Sequence, residues 1–515
     1  MAAWNVYLLL KLLLQWMGYI RLDPVPELLA YALIFALSRR KDWSRPARLA
    51  LAAGVSLLAA GLLWHESFLP PPEEALRYVV DPALRPSRTY FLRFLKGLFK
   101  PWQLLSLGCV AGAAFLLRGR RTVDLTPFVA VCLLLSTAVW RGPDRKRLSA
   151  EAEGFYAAES ARRAAFPAEA SSGPDFDVVI VHVCSLSWSD LWRVGLQRHP
   201  FLSQFDILFS SFNVVSSYSE QGVLRLLRAP CGQTRYASLY EDAPPECYLA
   251  DVLRSRGYSL ATAMNHSGEY LEMSRKIVRW GRIEPPMDPS GLPAVKVNFN
   301  GSDIHGDYAV LERWWKTRLA GKARRAALYY NTVSLHAGAH PAGLRRAWAE
   351  DPALRYRLSA EELFSDLARF FELVRASGRR AVVVFIPEHG GAIQGSQYLV
   401  PGMRDLPLPD ITLVPVGVKV IGGSPRRTPG GAPEIVSGPT SYLALARLLA
   451  GFMERSSFGG AELSRELAEL PRTRYVTENK RMVLLADRGS LCLRWMDKKW
   501  VSLPRKFRPE EVRTW

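Results

Sequence analysis

Ala381-Val-Val-Val-Phe-Ile-Pro387-Glu388-His389-Gly390-Gly391 joins an apolar run directly to an acid, a histidine and two glycines. The run reads as a buried strand, and strand ends are where α/β folds place their chemistry. A carboxylate beside an imidazole on a turning loop can hold a zinc ion from one side. Glu-His pairs also stand in loops without any role, so this pair acquires meaning only if other donors join it.

Working outward, Asp177-Val-Val-Ile-Val-His-Val183 is a second near-continuous apolar strand of the kind buried on both faces of a parallel sheet. Further strands are expected at 205–210, 258–264, 326–334 and 412–421, with helical patterns at 220–229, 247–256, 305–321 and 359–377. Strands alternating with helices imply an α/β sandwich over 176–515. The stretch 481–502 reads as a hairpin turning at Asp487-Arg-Gly489.

Upstream the chain changes character. Five apolar segments, roughly 4–20, 26–38, 47–64, 103–117 and 125–140, precede residue 142. They predict a membrane domain of about five transmembrane helices over 1–141, although several fall short of the ~20 residues a span needs. The loops with Arg39, Arg40, Lys41, Arg45 and Arg48, and with Arg118, Arg120 and Arg121, are placed in the cytoplasm by their positive charge. An odd number of spans then exports everything after Trp140, against which Arg141, Arg145, Lys146 and Arg147 argue mildly. PSRTYFLRFLKGLFKPW (86–102) mixes aromatics with cations and reads as an amphipathic helix on the membrane surface. Residues 142–175 read as a linker, helical and then flexible.

The net charge of +19 is scattered rather than gathered in a strip, and no nucleic-acid module is visible. The excess suits anionic lipid headgroups or anionic substrates. Of six cysteines, Cys109 and Cys132 sit in the membrane-like runs, and Cys184, Cys231, Cys247 and Cys492 fall in the remainder.

Three strand ends now carry reactive groups. Cys184 closes the 177–183 strand, Ser219 precedes the 220–229 helix, and Glu388 and His389 close the 381–387 strand. A cysteine at a strand end is commonly a small buried hydrophobe, and a serine before a helix is commonly a cap. Together, thiolate, carboxylate and imidazole are compatible zinc ligands. A serine at a helix N-terminus can be the fourth, and there the dipole and unbonded N–H groups favour a phosphate.

The segments HVCSLSWSDL (182–191), SSYSEQGVLRLLRAPCGQ (216–233), YYNTVSLHAGAH (329–340) and PEHGGA (387–392) resemble the membrane-bound phosphoethanolamine transferases of the alkaline phosphatase superfamily. Within these they are most similar to the BcsG-type cellulose phosphoethanolamine transferases. The cysteine where most relatives carry an acidic ligand makes that subfamily specific.

The resemblance implies an alkaline phosphatase-like α/β sandwich. It implies zinc held by Cys184, Ser219, Glu388 and His389, with Ser219 as nucleophile. His336 is implied as a pocket histidine acting on the leaving or attacking oxygen, Tyr218 as a pocket wall, and Arg404 as a phosphate contact. His266 and His340 are further pocket candidates, and Trp188 is a candidate for sugar stacking, with core packing the stronger reading. Cys231 and Cys247 match a pair the family joins as a disulfide, which suits an exported domain.

The implied donor is phosphatidylethanolamine and the implied acceptor is cellulose at a glucose 6-hydroxyl. Membrane lipids and subunits of a cellulose synthase complex are the expected partners, in a bacterial inner membrane with the catalytic domain in the periplasm. The rival readings are the same chemistry on lipid A or another glycan, and a non-catalytic scaffold of a polysaccharide synthase.

Overall fold

The structure, a computed structural model, describes residues 7–67 in part, 144–167, 175–342, 351–396, 399, 401–422, 431–455, 467–495 and 500–506. The chain divides into two units, one of 1–80, 88–142 and 395–405, the other of 81–87, 143–394 and 406–515.

The first unit contains helices α1 (Pro24–Arg39) and α2 (Arg45–Glu66). Among the described residues one helix, Leu49–Glu66 within α2, is long and apolar enough to cross a membrane. The sequence pointed to about five. Helix α1 has 16 residues, short of a full span. Segments 103–117 and 125–140, and the surface helix expected at 86–102, lie outside the described residues. Lys11 is fully buried and ion-paired with both Glu27 and Glu66, so its buried charge is neutralised by one carboxylate from each helix.

Among the described residues the second unit starts with α3 (Arg145–Ser160), and its principal elements continue with β1 (Asp177–Val183), α4 (Trp188–Val194), β2 (Ile207–Asn213), α5 (Ser219–Leu227) and β3 (Tyr258–Met264). Then come α6 (Asp307–Ala320), β4 (Arg325–Thr332), α7 (Pro352–Ala376), β5 (Ala381–Pro387), β6 (Leu413–Ile421), β7 (Glu434–Val436) and α8 (Tyr442–Arg455). Four strands close the fold: β8 (Val476–Asn479), β9 (Met482–Asp487), β10 (Ser490–Trp495) and β11 (Trp500–Lys506).

Seven strands form one sheet in the order β7-β2-β6-β5-β1-β4-β3. The near-continuous apolar runs are explained by helices on both faces. Val178 and Ile180 point into a core with Val223, Leu227 and Leu445, whereas Val179, Val181 and Val183 point into one with Leu191, Trp315 and Phe364. Both runs are buried throughout. At the start of β1, Asp177 accepts from Arg318 Nε, shared between its two oxygens at 3.1 Å, from Arg318 Nη2 at 3.0 Å, from Arg379 Nε at 2.8 Å and from the Ala326 N–H at 2.8 Å.

The sheet is mixed rather than parallel. Strand β6 runs antiparallel to both β5 and β2. The reason is the path of the chain: the Gly390 N–H donates to the Ile411 carbonyl at 2.7 Å, so β6 starts at the edge where β5 ends and must run back. All the parallel strands therefore deliver their C-terminal ends to one edge.

Strands β8 to β11 form a four-stranded antiparallel sheet, larger than the expected hairpin. Its turn is the expected one, with Arg488 at φ 47° and Gly489 at φ 77°, the left-handed pair that a two-residue hairpin needs. The segment read as a linker contains α3, whose Leu148, Ala152, Phe155 and Tyr156 pack on Val476, Val483, Leu485 and Trp500. Arg147 clamps the contact through Asp487 at 2.6 Å. Helix α3 is thus part of the second unit's packed body.

Candidate active site

Every side chain of the candidate site leaves the same sheet edge. Cys184 follows β1, the loop to Ser219 follows β2, Asn331 lies near the end of β4, and Glu388 and His389 follow β5. Cys184, Glu388 and His389 are buried, and one donor atom from each lies within 4.8 Å of the other two, an arrangement able to hold a metal ion.

Local structure fixes each donor. His389 Nδ1 is 2.9 Å from the Gly390 carbonyl, which only accepts, so Nδ1 carries the proton and Nε2 keeps its lone pair for the site. Ser219 is the first residue of α5, after Tyr218 at the N-cap. Its Oγ lies 3.0 Å from His389 Nε2 and 3.5 Å from Cys184 Sγ. The hydroxyl therefore donates to an imidazole lone pair at a helix N-terminus. Gly222 lets α5 come this close, because a Cβ there would stand 3.0 Å from the Glu388 carbonyl oxygen.

The His389 loop is pinned by Asp190 in α4. Its Oδ2 accepts from the Gly391 N–H at 2.6 Å and from Ser187 Oγ at 2.8 Å, and its Oδ1 accepts from the Ile393 N–H at 3.2 Å. Burial outweighs these donors and pushes the Asp190 carboxyl up to about 6. A Cβ on Gly390 would stand 2.6 Å from Ser187 Oγ, so only glycine fits that crossing. Strain is stored beside the donors: Ser185 (φ 69°) follows Cys184, and the β-branched Val215 (φ 66°) sits in the loop leading to Ser219.

The other expected site residues fall as follows. His336 lies in the loop after β4, its ring stacked on Phe299 at 4.8 Å and its Nδ1 3.0 Å from the Ala337 carbonyl. His340 is in the short strand His340–Pro341, which pairs with Val297 and belongs to a three-stranded sheet the sequence had not announced. Arg404 belongs to Gly395–Asp405, the segment grouped with the first unit. His266, the further pocket candidate at the end of β3, is buried, and its Nε2 meets Asn331 Oδ1 at 2.9 Å. Trp188 is core, 2% exposed. Cys231 and Cys247 are bonded to each other, while Cys184 carries no disulfide.

Two residues escaped the sequence reading. Asn331 donates from Nδ2 to Glu388 Oε1, and its signal was a lone amide inside an apolar strand. Asp190 was legible only as the far end of a Ser187-x-x-Asp190 capping box.

Fold and site together define the class: an α/β sandwich with donors able to hold a metal and a helix-borne serine at one edge of a mixed sheet. The chain belongs to the family of the cellulose biosynthesis protein BcsG. The family model of the BcsG C-terminal domain matches residues 137–500, and that of the N-terminal domain matches residues 4–137. The BcsG of Escherichia coli K12 is 31% identical over 98% of this chain and 96% of its own length. The BcsG of Salmonella typhimurium LT2 is 32% identical over the same shares. Among solved structures, the lipooligosaccharide phosphoethanolamine transferase A of Neisseria meningitidis aligns at a TM-score of 0.44 and 14% identity, over 86% of this chain and 96% of that one.

Proposed function

We propose that this chain transfers phosphoethanolamine from phosphatidylethanolamine to a cell-surface polysaccharide, cellulose at its glucose 6-hydroxyls, through a covalent intermediate on Ser219. The reading is supported by membership of a cellulose biosynthesis family and by the motifs shared with phosphoethanolamine transferases. The single observation that carries it is Ser219 Oγ at the N-terminus of α5, 3.0 Å from His389 Nε2 and beside Cys184.

The donor set of one thiolate, one carboxylate, one imidazole and a hydroxyl fits zinc better than magnesium or calcium, which take all-oxygen shells. Bound by Cys184, Ser219, Glu388 and His389, zinc would supply Lewis acidity that lowers the hydroxyl's pKa.

The chain's own groups do the rest. Ser219 Oγ releases its proton to solvent and attacks phosphorus, the Oγ–P bond forms, the P–O bond to diacylglycerol breaks, and Ser219 regains a proton from solvent when it is later displaced. His336 protonates the departing oxygen and later takes the proton of the acceptor hydroxyl, whose oxygen displaces Ser219. The α5 N-terminus faces developing negative charge with backbone N–H groups. Tyr218 and His340 line the path of the substrate. A multi-pass anchor in the bacterial inner membrane, with the second unit in the periplasm, keeps the enzyme at its lipid donor and at a cellulose synthase complex.

Replacing Ser219 by Ala and following phosphoethanolamine on secreted cellulose tests this reading. Loss of the modification is expected. Unchanged modification contradicts the nucleophile assignment, and modification of lipid A in place of cellulose contradicts the acceptor.

A further inference from the structure

We infer that Asn331, itself oriented by His266, is a positioning residue that holds the Glu388 carboxylate in place for the metal. The inference rests on the reading of Cys184, Glu388 and His389 as ligands, and it concerns residues to which that reading gives no such part.

A ligating carboxylate has two oxygens and a soft torsion, so something must select which oxygen faces the ion. Glu388 is fully buried, and its Oε1 accepts from Asn331 Nδ2. That bond turns the other oxygen, Oε2, toward the donors, 3.7 Å from His389 Nε2. An amide is the side chain that can do this without adding charge. An aspartate at 331 would set a second carboxylate against the first, and an apolar residue would take this donor away from Oε1 in the interior.

Asn331 is in turn held at both of its heads. Its Nδ2 lies 3.3 Å from the His182 carbonyl, and its Oδ1 lies 2.9 Å from His266 Nε2. An amide oxygen only accepts, so His266 Nε2 carries the proton. His266 Nδ1 is then the lone pair that accepts the Gly268 N–H at 3.1 Å. The chain of donors has a single consistent direction: Gly268 N–H to His266, His266 to Asn331, Asn331 to Glu388. A flipped amide would place a donor on a donor at His266 and an acceptor on an acceptor at Glu388. The array crosses the sheet, from the end of β3 through β4 to the end of β5, with the backbone of β1 beneath it. Asn331 and His266 are 0% and 8% exposed, so water does not compete for these bonds.

The test uses the full-length chain in detergent. Affinities for zinc and for cobalt(II) are measured by chelator competition for the wild type, Asn331→Leu, His266→Leu, His266→Gln and Glu388→Ala, beside the thermal midpoint of each metal-free protein. Asn331→Leu is expected to weaken metal binding about 10- to 100-fold, as outer-shell changes do. Its cobalt thiolate charge-transfer band should persist, because Cys184 still ligates. His266→Leu should weaken binding less, and His266→Gln, which keeps a donor toward Asn331, should restore it. A purely structural role would lower the metal-free midpoint without changing the affinity.

Wild-type affinity in Asn331→Leu, with binding lost in Glu388→Ala, overturns the inference and leaves the ligand reading standing. Unchanged affinity in Glu388→Ala overturns the ligand reading and the inference with it. Should Asn331→Leu not fold, the His266 pair decides: equal affinities in His266→Leu and His266→Gln overturn the relay.

Discussion

Ser219 Oγ lies 3.0 Å from His389 Nε2, the nitrogen left with a lone pair by the Gly390 carbonyl on the other side of the ring. A hydroxyl at the start of a nine-residue helix is thereby joined to the donor at the end of β5, across 170 positions of sequence.

The ligand set predicts the metal. Cys184→Ala removes the sulfur donor 3.5 Å from Ser219 Oγ. Elemental analysis of the purified protein should show roughly stoichiometric zinc in the wild type and a large loss in the variant, and polymer modification should fall with it. Full zinc in Cys184→Ala would remove cysteine from the site.

The buried titrating groups predict opposing acid responses in the metal-free protein. Asp190 is raised by burial to about 6, so between the ordinary carboxylate value and 6 the folded state keeps a proton the unfolded state has released. Its contribution to stability falls as pH climbs through that window, by on the order of 3 kcal/mol, and is flat above it. His182 is lowered by burial to about 3, so stability is lost as pH falls from 6.5 toward 3. Thermal midpoints between pH 4 and 7 should fall more steeply toward acid in Asp190→Asn than in the wild type, and less steeply in His182→Gln. Parallel curves for all three would contradict both assignments.

The cluster at the start of β1 predicts a large stability loss. Asp177 is 0% exposed and receives Arg318, Arg379 and the Ala326 N–H. Asp177→Ala leaves the buried Arg318 without its carboxylate and should cost about 3–5 kcal/mol, read as a drop in the unfolding midpoint. A change under about 1 kcal/mol would mean the guanidinium finds another partner.

Helix α3 predicts where the second unit can be cut. A chain beginning at residue 143 keeps Leu148, Phe155 and Tyr156 on the four-stranded sheet, whereas one beginning at 168 bares Val476, Val483, Leu485 and Trp500. The shorter chain should be aggregation-prone and melt lower by calorimetry. Equal melting of the two would show that the helix adds nothing to this body.

What was legible in the sequence was chemistry at strand ends. Cys184 and the Glu388-His389 pair each end an apolar run long enough to read as buried, and Ser219 stands at a helix start, so a parallel arrangement of strands brings them to one edge. The reversal of β6 was not legible, because its apolar run looks the same in either direction and only the Gly390–Ile411 contact sets its sense. Helix α3 was expected as the helical part of a linker, but its packing was not: its Ala-, Glu- and Arg-rich surface masks an apolar stripe at positions 148, 152, 155 and 156. Asn331 could be seen but not interpreted, since its partner Glu388 is 57 residues away and the bond exists only once β4 and β5 both flank β1.

The most direct test of the central claim is peptide mass spectrometry of the full-length protein after incubation with phosphatidylethanolamine and no acceptor. Phosphoethanolamine on the peptide bearing Ser219, discharged when cellulose is added and absent from Ser219→Ala, is the predicted result. An unmodified Ser219 in a preparation that still modifies cellulose would contradict the covalent mechanism.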